Sequence, residues 1–328
     1  NAMTYDQIIS DLKQKKYKPV YLLYGDESYF IDKITDYIAT NVLNESEKAF
    51  NQTIFYGKDT TITNVIQAAR RFPMMSEYQV IIVKEAQHLK PLSNFEPYFE
   101  SPQMQTILVL ALKDTDKLDK RIKATKLAEK IGAVLEAKKL YERDMVKWVA
   151  TLAKSYDLTL SDDAQRLMYE HVGNDLSRLD GEMKKLKNAT DGKSLISIDV
   201  VANNIGVNRD YNIFELQKAL GLKDVAKAYK IVDYFAKNPK STPIVVSISQ
   251  LYAYFSKVLK VHYISNRGEI ASQLGISPYF VDEYLKVASL YPVQKLVSIV
   301  SYIREADLKS KGMFGEGYKS EGDIYKEL

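Results

Sequence analysis

The sequence contains no cysteine. That absence excludes disulfides, thiolate chemistry and every zinc module built on cysteine. Histidine is nearly as scarce. His88, His171 and His262 stand far apart and form no ligand-like pair, so neither a metal nor histidine-based catalysis is expected, and no cofactor is called for. No apolar run approaches the roughly twenty residues of a membrane-spanning helix, and the amino end carries no apolar signal region. The chain therefore reads as soluble and cytoplasmic, with no membrane partner. Asn1-Ala2 ahead of Met3 reads as a cloning scar. An excess of one charge is missing too, since 46 basic and 42 acidic residues leave +4. That balance permits an acidic partner or nucleic acid without demanding either.

What is present is hydrophobic residue, 46% of 328 positions, and a chain of that length points to two or three domains. From about residue 5 to 140 short apolar runs alternate with helical periodicity. Val20-Tyr21-Leu22-Leu23-Tyr24, Thr53-Ile54-Phe55-Tyr56, Gln79-Val80-Ile81-Ile82-Val83, Ile107-Leu108-Val109-Leu110 and Ala133-Val134-Leu135 are of strand length and rich in β-branched or aromatic residues. Between them, Ile62, Val65, Ile66 and Ala69 fall on one helical face. Strand and helix in alternation imply βαβ units, hence an α/β domain with a mostly parallel sheet and helices on both faces. After Lys139 nearly every segment reads as helix. One has Asn174 placed to cap it ahead of Leu176, Leu179, Met183 and Leu186, another begins at Asp210-Tyr211-Asn212, and the stretch from Ala202 to Asp210 reads as a hinge. The expected domains are 1–140, 141–208 and 209–328, the last two all-α.

An α/β domain commonly holds phosphate where its first strand turns into a helix, on a Gly-rich loop with a following Lys-Ser/Thr pair. Here the turn reads Gly25-Asp26-Glu27-Ser28-Tyr29-Phe30, with one glycine, no such pair and two carboxylates. Like charge at that place disfavours an anion. After the third run, Lys84-Glu85 reads as a surface ion pair rather than as the acidic pair that would hold Mg²⁺ and position water. Neither half of a phosphoryl-transfer site assembles, and no catalytic residue is expected.

Arg70-Arg71-Phe72-Pro73-Met74-Met75-Ser76 places three large apolar side chains on a turn between a helix and a strand. Pro73 ends the helix by fixing φ and removing a donor. The spacing alone favours folding back onto the domain's own core. The alternative is a docking plug, since turns lie at the surface and Met adapts to a partner's pocket.

Four segments together resemble the delta-subunit family of bacterial DNA polymerase III clamp loaders. They are Val20 to Phe30, Phe72-Pro73-Met74-Met75-Ser76 leading into Val80-Ile81-Ile82-Val83, Gly173-Asn174-Asp175-Leu176 with Arg178, Leu179 and Glu182, and Tyr211-Asn212-Ile213-Phe214-Glu215-Leu216. They occur in the family's order. The resemblance implies an AAA+-like α/β domain without a phosphate loop, a helical lid and a helical collar. It implies a subunit that binds the sliding clamp (the beta subunit) and opens or holds open its ring, works beside motor and delta-prime subunits on primer-template DNA, and hydrolyses no ATP itself. The segment that enters the clamp corresponds to Met74 and Met75, with Phe72 adjoining. Family members often carry Leu-Phe or Phe-Phe where this chain has Met-Met. A chain without cysteine matches neither the motor nor the delta-prime pattern of cysteine motifs. With that setting the plug becomes the expected role of the turn.

Lys117, Lys120, Arg121 and Lys123 are the candidate DNA contacts, in a run from Lys113 to Lys130 that Asp114, Asp116, Asp119 and Glu129 dilute. The competing reading of that run is a solvated helix face. Tyr252, Tyr254, Tyr263, Tyr279, Tyr284, Tyr291 and Tyr302 are expected to pack between helices with their hydroxyls near the rim. Val245, Ile248, Leu251 and Tyr252 are expected to form one apolar face that buries in part against another chain. The competing functions are a stand-alone DNA-binding protein and a divergent AAA+ ATPase.

Overall fold

The computed structural model describes residues 2–115, 118–191 and 194–312. Two compact units divide the chain, one ending at Lys139 and the other beginning at Leu140.

In the first unit β1 (Val20–Gly25), β2 (Gln52–Tyr56), β3 (Gln79–Lys84), β4 (Thr106–Lys113) and β5 (Ala133–Ala137) form one sheet. All pairs are parallel, in the order β2-β3-β4-β1-β5. β1 lies between β4 and β5, with Val20 opposite Leu108 on β4 and Tyr21 opposite Ala133 on β5. β1, β3, β4 and β5 are buried on both faces, which is why their sequences are apolar runs rather than alternations, whereas the edge strand β2 leaves Ile54 and Tyr56 exposed. On one face Leu22, Tyr24, Ile81, Leu108 and Leu110 pack with Val65, Ala69, Tyr98, Phe99, Ala124 and Ala128 from the helices Ile62–Ala69, Glu96–Glu100 and Lys123–Ile131. The alternate residues Tyr21, Leu23, Val80, Ile82 and Val109 are buried as well and point to the opposite face. There the helices Tyr5–Lys13 and Ser28–Asn41 bury Ile8, Leu12, Ile31, Ile34 and Ile38. Each such side chain contributes about 1.5–3 kcal/mol on leaving water.

A glycine and a helix cap shape two places in this unit. At the end of β1, Gly25 has φ 135°, and a Cβ there would stand 2.0 Å from the Ala137 carbonyl oxygen. Only glycine fits. Ahead of β2, the helix Glu45–Asn51 starts on a capping box. Asn44 accepts from the Glu47 N–H at 2.9 Å, and Glu47 accepts from the Asn44 N–H at 3.2 Å.

The second unit is mostly helical. It also contains a parallel ladder of two short strands, Thr159–Leu160 with Leu195–Ile196, where helix alone is expected. Two residues are too few for a period to show in sequence. The helix Leu176–Ala189 is capped by Asp175, one residue after the expected Asn174, because the Asp175 carboxylate accepts the Arg178 N–H at 3.0 Å. The helix Ile198–Ile205 takes up the first part of the expected hinge and stops at Gly206, whose φ is 70°. Asn212 then caps the helix Ile213–Gly221, accepting from the N–H groups of Phe214 and Glu215, both at 3.0 Å.

By length and composition the helix Ile244–Val261 could cross a membrane. It is a core helix here, with Ile244, Ile248, Leu251, Phe255 and Val258 buried beside Leu296 and Ile303 of the helix Val293–Ser310. The expected single face of this helix splits in two. Ile248 and Leu251 are buried, whereas Val245, Val246 and Tyr252 are exposed. The tyrosines split likewise. Tyr291 is buried and Tyr254 and Tyr284 are partly so, but Tyr252, Tyr263, Tyr279 and Tyr302 stand exposed.

Candidate functional site

The helix Ile62–Ala69 begins on Thr61, which accepts the Asn64 N–H at 3.1 Å, and it ends at Arg70 ahead of Pro73. Its last carbonyls would be orphaned, as at any helix end. Buried Gln79, the first residue of β3, serves them. Its Nε2 lies 3.2 Å from the Ala68 and Ala69 carbonyl oxygens, against that of Arg71, and 2.7 Å from Thr106 Oγ1. Thr106 in turn donates to the Ala69 carbonyl at 2.6 Å. Arg70 reaches back over the Tyr98 ring at 5.4 Å and donates to the Pro97 carbonyl at 3.3 Å.

Beyond Arg71 the side chains turn outward. Phe72 is 73% exposed, Met74 63% and Met75 102%. The core reading of the three is excluded, for Phe72 as well as for the methionines. Desolvating such side chains in a partner's pocket is favourable, while leaving them in water is not. Met75 also has φ 54°, a left-handed conformation that costs a non-glycine residue about 1–3 kcal/mol and persists only where neighbours impose it.

The neighbour that imposes it is the helix Glu45–Asn51. Asn51, 3% exposed, accepts the Met74 N–H on Oδ1 at 2.6 Å and donates from Nδ2 to the Met74 carbonyl at 2.9 Å. Its second amide hydrogen goes to the Glu47 carbonyl at 3.1 Å. One residue pair further on, the Ser76 hydroxyl contacts the Glu47 carboxylate and lies 2.9 Å from the Tyr78 carbonyl. The Ser76 hydrogen bond, with the Asn44 N–H, holds the Glu47 carboxyl below its ordinary value of 4.5. Sequence reasoning missed this support. The capping box of Asn44 and Glu47 is legible, but the reach from Asn51 to Met74 spans 23 residues. Phe50, next to Asn51, is a further exposed aromatic, 74% accessible.

The turn after β1 is organised in the opposite sense. Glu27 caps the helix Ser28–Asn41 and accepts the Tyr29 N–H at 3.2 Å, while Asp26 accepts the Lys139 N–H at 3.0 Å. The Glu27 N–H itself goes to the Ala137 carbonyl at 3.1 Å. Two backbone donors of the turn, the N–H groups of Glu27 and Tyr29, are engaged, and the chain's own carboxylate sits at the helix start.

The candidate DNA contacts are dispersed among ion pairs. Lys120 meets Glu136 at 3.0 Å, Arg121 meets Asp119 at 3.1 Å, and Lys123 is paired with Glu100. Lys117 lies outside the described residues. Hydrogen bonding to Glu136 and the neighbouring Tyr24 raise the Lys120 ammonium above its usual value. In the second unit Arg166 bonds Glu170 at 2.8 Å and Glu283 at 2.6 Å. Burial nevertheless pushes the Glu170 carboxyl up to about 7, against the opposing pull of Arg166. His171 lies 3.2 Å from Arg178, and His262 from the Tyr291 carbonyl at 2.8 Å. Among the described residues no group of three acidic or histidine side chains is placed to hold a metal.

Comparison with known proteins bears on these features. Residues 21–138 match the family model described as DNA polymerase III, delta subunit, and residues 210–316 match that of the subunit's C-terminal domain. The DNA polymerase III subunit delta of Bacillus subtilis (strain 168) is 28% identical over 324 residues, covering 94% of this chain and 92% of that protein. The probable DNA polymerase III subunit delta of Aquifex aeolicus (strain VF5) is 22% identical, covering 85% of this chain and 83% of its own length. A solved structure, the Bacillus subtilis DNA clamp loader delta protein, is similar with a TM-score of 0.63 and 25% identity, over 98% of this chain and 97% of that one.

Proposed function

The chain belongs to the DNA polymerase III delta-subunit family, and from that membership we propose that it is the clamp-loader subunit that binds the sliding clamp (the beta subunit). In this role it opens the clamp ring, or holds it open, for loading onto primed DNA in the cytoplasm. The observation that carries the reading is the turn Phe72 to Ser76. Three large apolar side chains are exposed there on a backbone fixed from beneath. A few anchors of this kind suffice for a centred hot spot, each contributing about 1.5–3 kcal/mol when fully desolvated, less the costs of association.

The subunit does this without hydrolysing ATP. Support comes from Glu27 at the helix start and from the engaged N–H groups of Glu27 and Tyr29. Motor and delta-prime subunits supply the nucleotide chemistry. Residues 141–208 act as the lid, and residues 209–328 as the collar, where exposed Val245, Val246 and Tyr252 meet a neighbouring subunit. Primer-template DNA is met through phosphate contacts by Lys117, Lys120, Arg121 and Lys123. Lys120, Arg121 and Lys123 exchange Glu136, Asp119 and Glu100 for phosphate. Such contacts carry no sequence preference and weaken steeply with salt, so DNA binding by the assembled loader that is insensitive to ionic strength would remove them.

The test of the main reading is a titration of the chain with the sliding clamp of the same organism, wild type against Met74→Ala/Met75→Ala. The expected loss is about two orders of magnitude in Kd, from truncating two desolvated anchors. Unchanged affinity sinks the reading.

A further inference from the structure

The turn from Phe72 to Ser76 has almost no side-chain packing of its own to hold it. Its apolar side chains are in solvent, and Met75 is left-handed. A free segment of this kind would sample many conformations, and an apolar side chain in water gives no reason to choose one. The segment is nonetheless held at three points by polar groups, two on its backbone and one on a side-chain hydroxyl. Gln79 takes the Arg71 carbonyl, Asn51 takes both the N–H and the carbonyl of Met74, and Glu47 takes the Ser76 hydroxyl.

Asn51 acts on the turn much as a strand neighbour would, closing a donor and an acceptor of one residue at once. The amide is fully used, since both hydrogens and the oxygen are engaged, and it is buried, where such bonds are costly to leave unmade. Glu47 has two tasks through its two oxygens. Oε1 closes the capping box of its own helix and Oε2 meets Ser76. The helix Glu45–Asn51 is therefore organised around the turn, and its start and its grip on the turn share one carboxylate.

We propose that Asn51, assisted by the Glu47–Ser76 pair, is a positioning residue that holds the turn in its docking conformation before the partner arrives. This deepens the docking reading and rests on it. A preformed turn binds with its intrinsic affinity, whereas a loosened one loses affinity by the fraction of time it spends competent. Asn51 touches no partner in this account. It acts through Met74 and Met75.

The experiment uses the full chain and the sliding clamp of the same organism, with Kd, association rate and amide hydrogen exchange as readouts. Asn51→Asp keeps the size and the acceptor for the Met74 N–H but loses the donor to the Met74 carbonyl. It is expected to weaken clamp binding about tenfold, chiefly through a slower association rate, and to speed exchange at Met74, whose N–H Asn51 holds, in the free chain but not in the complex. Ser76→Ala leaves the buried clamp intact, folds as wild type, and is expected to weaken binding about threefold with the same exchange signature. Should Asn51→Asp unfold the domain, Ser76→Ala decides alone. Wild-type affinity and exchange in both variants, or in Ser76→Ala where it decides alone, overturns the positioning role. If those variants bind normally while Met74→Ala/Met75→Ala does not, the turn docks but is not preorganised. If the methionine pair also binds normally, the docking reading itself has failed.

Discussion

Two turns of the first unit, each between a helix and a strand, are built in opposite ways. At Gly25 to Phe30 the side chains are engaged by the chain itself: Glu27 closes the helix start, Asp26 ties Lys139, and Tyr29 and Phe30 are buried. At Phe72 to Ser76 the backbone is committed, through Gln79 and Asn51, Glu47 holds the Ser76 hydroxyl, and the large apolar side chains are left in water. A nucleotide site needs free backbone donors beside a helix start, whereas a docking site needs free apolar side chains on a fixed frame. The α/β scaffold offers both places. This chain has closed the first and equipped the second.

The largest effect that can test this contrast lies in the closed turn. Gly25→Ala puts a Cβ 2.0 Å from the Ala137 carbonyl oxygen at φ 135°, and neither the backbone of β5 nor the turn can yield cheaply. The expected loss of stability is roughly 3 kcal/mol or more, read by urea unfolding. A cost below about 1 kcal/mol would mean that the turn yields to a side chain at Gly25 and is not closed against β5, and the contrast would collapse. The open turn responds in the other direction. Met74→Ala/Met75→Ala, for which a large loss of clamp binding is expected, should shift thermal unfolding by no more than about 2 °C, because exposed side chains contribute little to folding. A markedly earlier transition would show that the two methionines support the fold.

Much of this was legible in sequence, and the reasons differ from place to place. The strands are apolar runs because parallel strands are buried on both faces, so Val20 to Tyr24 and Gln79 to Val83 announce themselves. The closed turn was legible as hostile to phosphate because its single glycine and two carboxylates stand together in the chain, although the cap that Glu27 makes on Tyr29, two residues away, was not read. Pro73 marked the open turn in the same way. Its support was not legible, because Asn51 and Met74 are joined by tertiary structure and neither residue type signals the other. The helix Ile244–Val261 shows a second limit. Val245, Tyr252, Ile248 and Leu251 are alike in apolar character, and only packing separates the buried pair from the exposed one. Asn174 and Asp175 are both good caps, so sequence preference could not choose between neighbours that geometry separates by one residue.

The smallest expected effect concerns the carboxylate that joins the open turn to its supporting helix. Glu47 is half-buried, and the Ser76 hydroxyl and the Asn44 N–H keep its pKa below 4.5 in the folded chain. A depressed carboxyl of this kind favours the folded arrangement at every pH above its unfolded value, and that contribution fades only as pH falls through the lower folded value. The grip on Ser76 should therefore be constant through neutral pH and slacken in acid. Carboxyl NMR titration provides the measurement. The Glu47 resonance should titrate below 4.5 in the wild type and move back toward the ordinary range in Ser76→Ala, with the Asn44 contribution remaining. A titration midpoint unmoved by Ser76→Ala would mean that Glu47 serves its own helix alone, leaving Asn51 and Gln79 as the points that separate the open turn from a free loop.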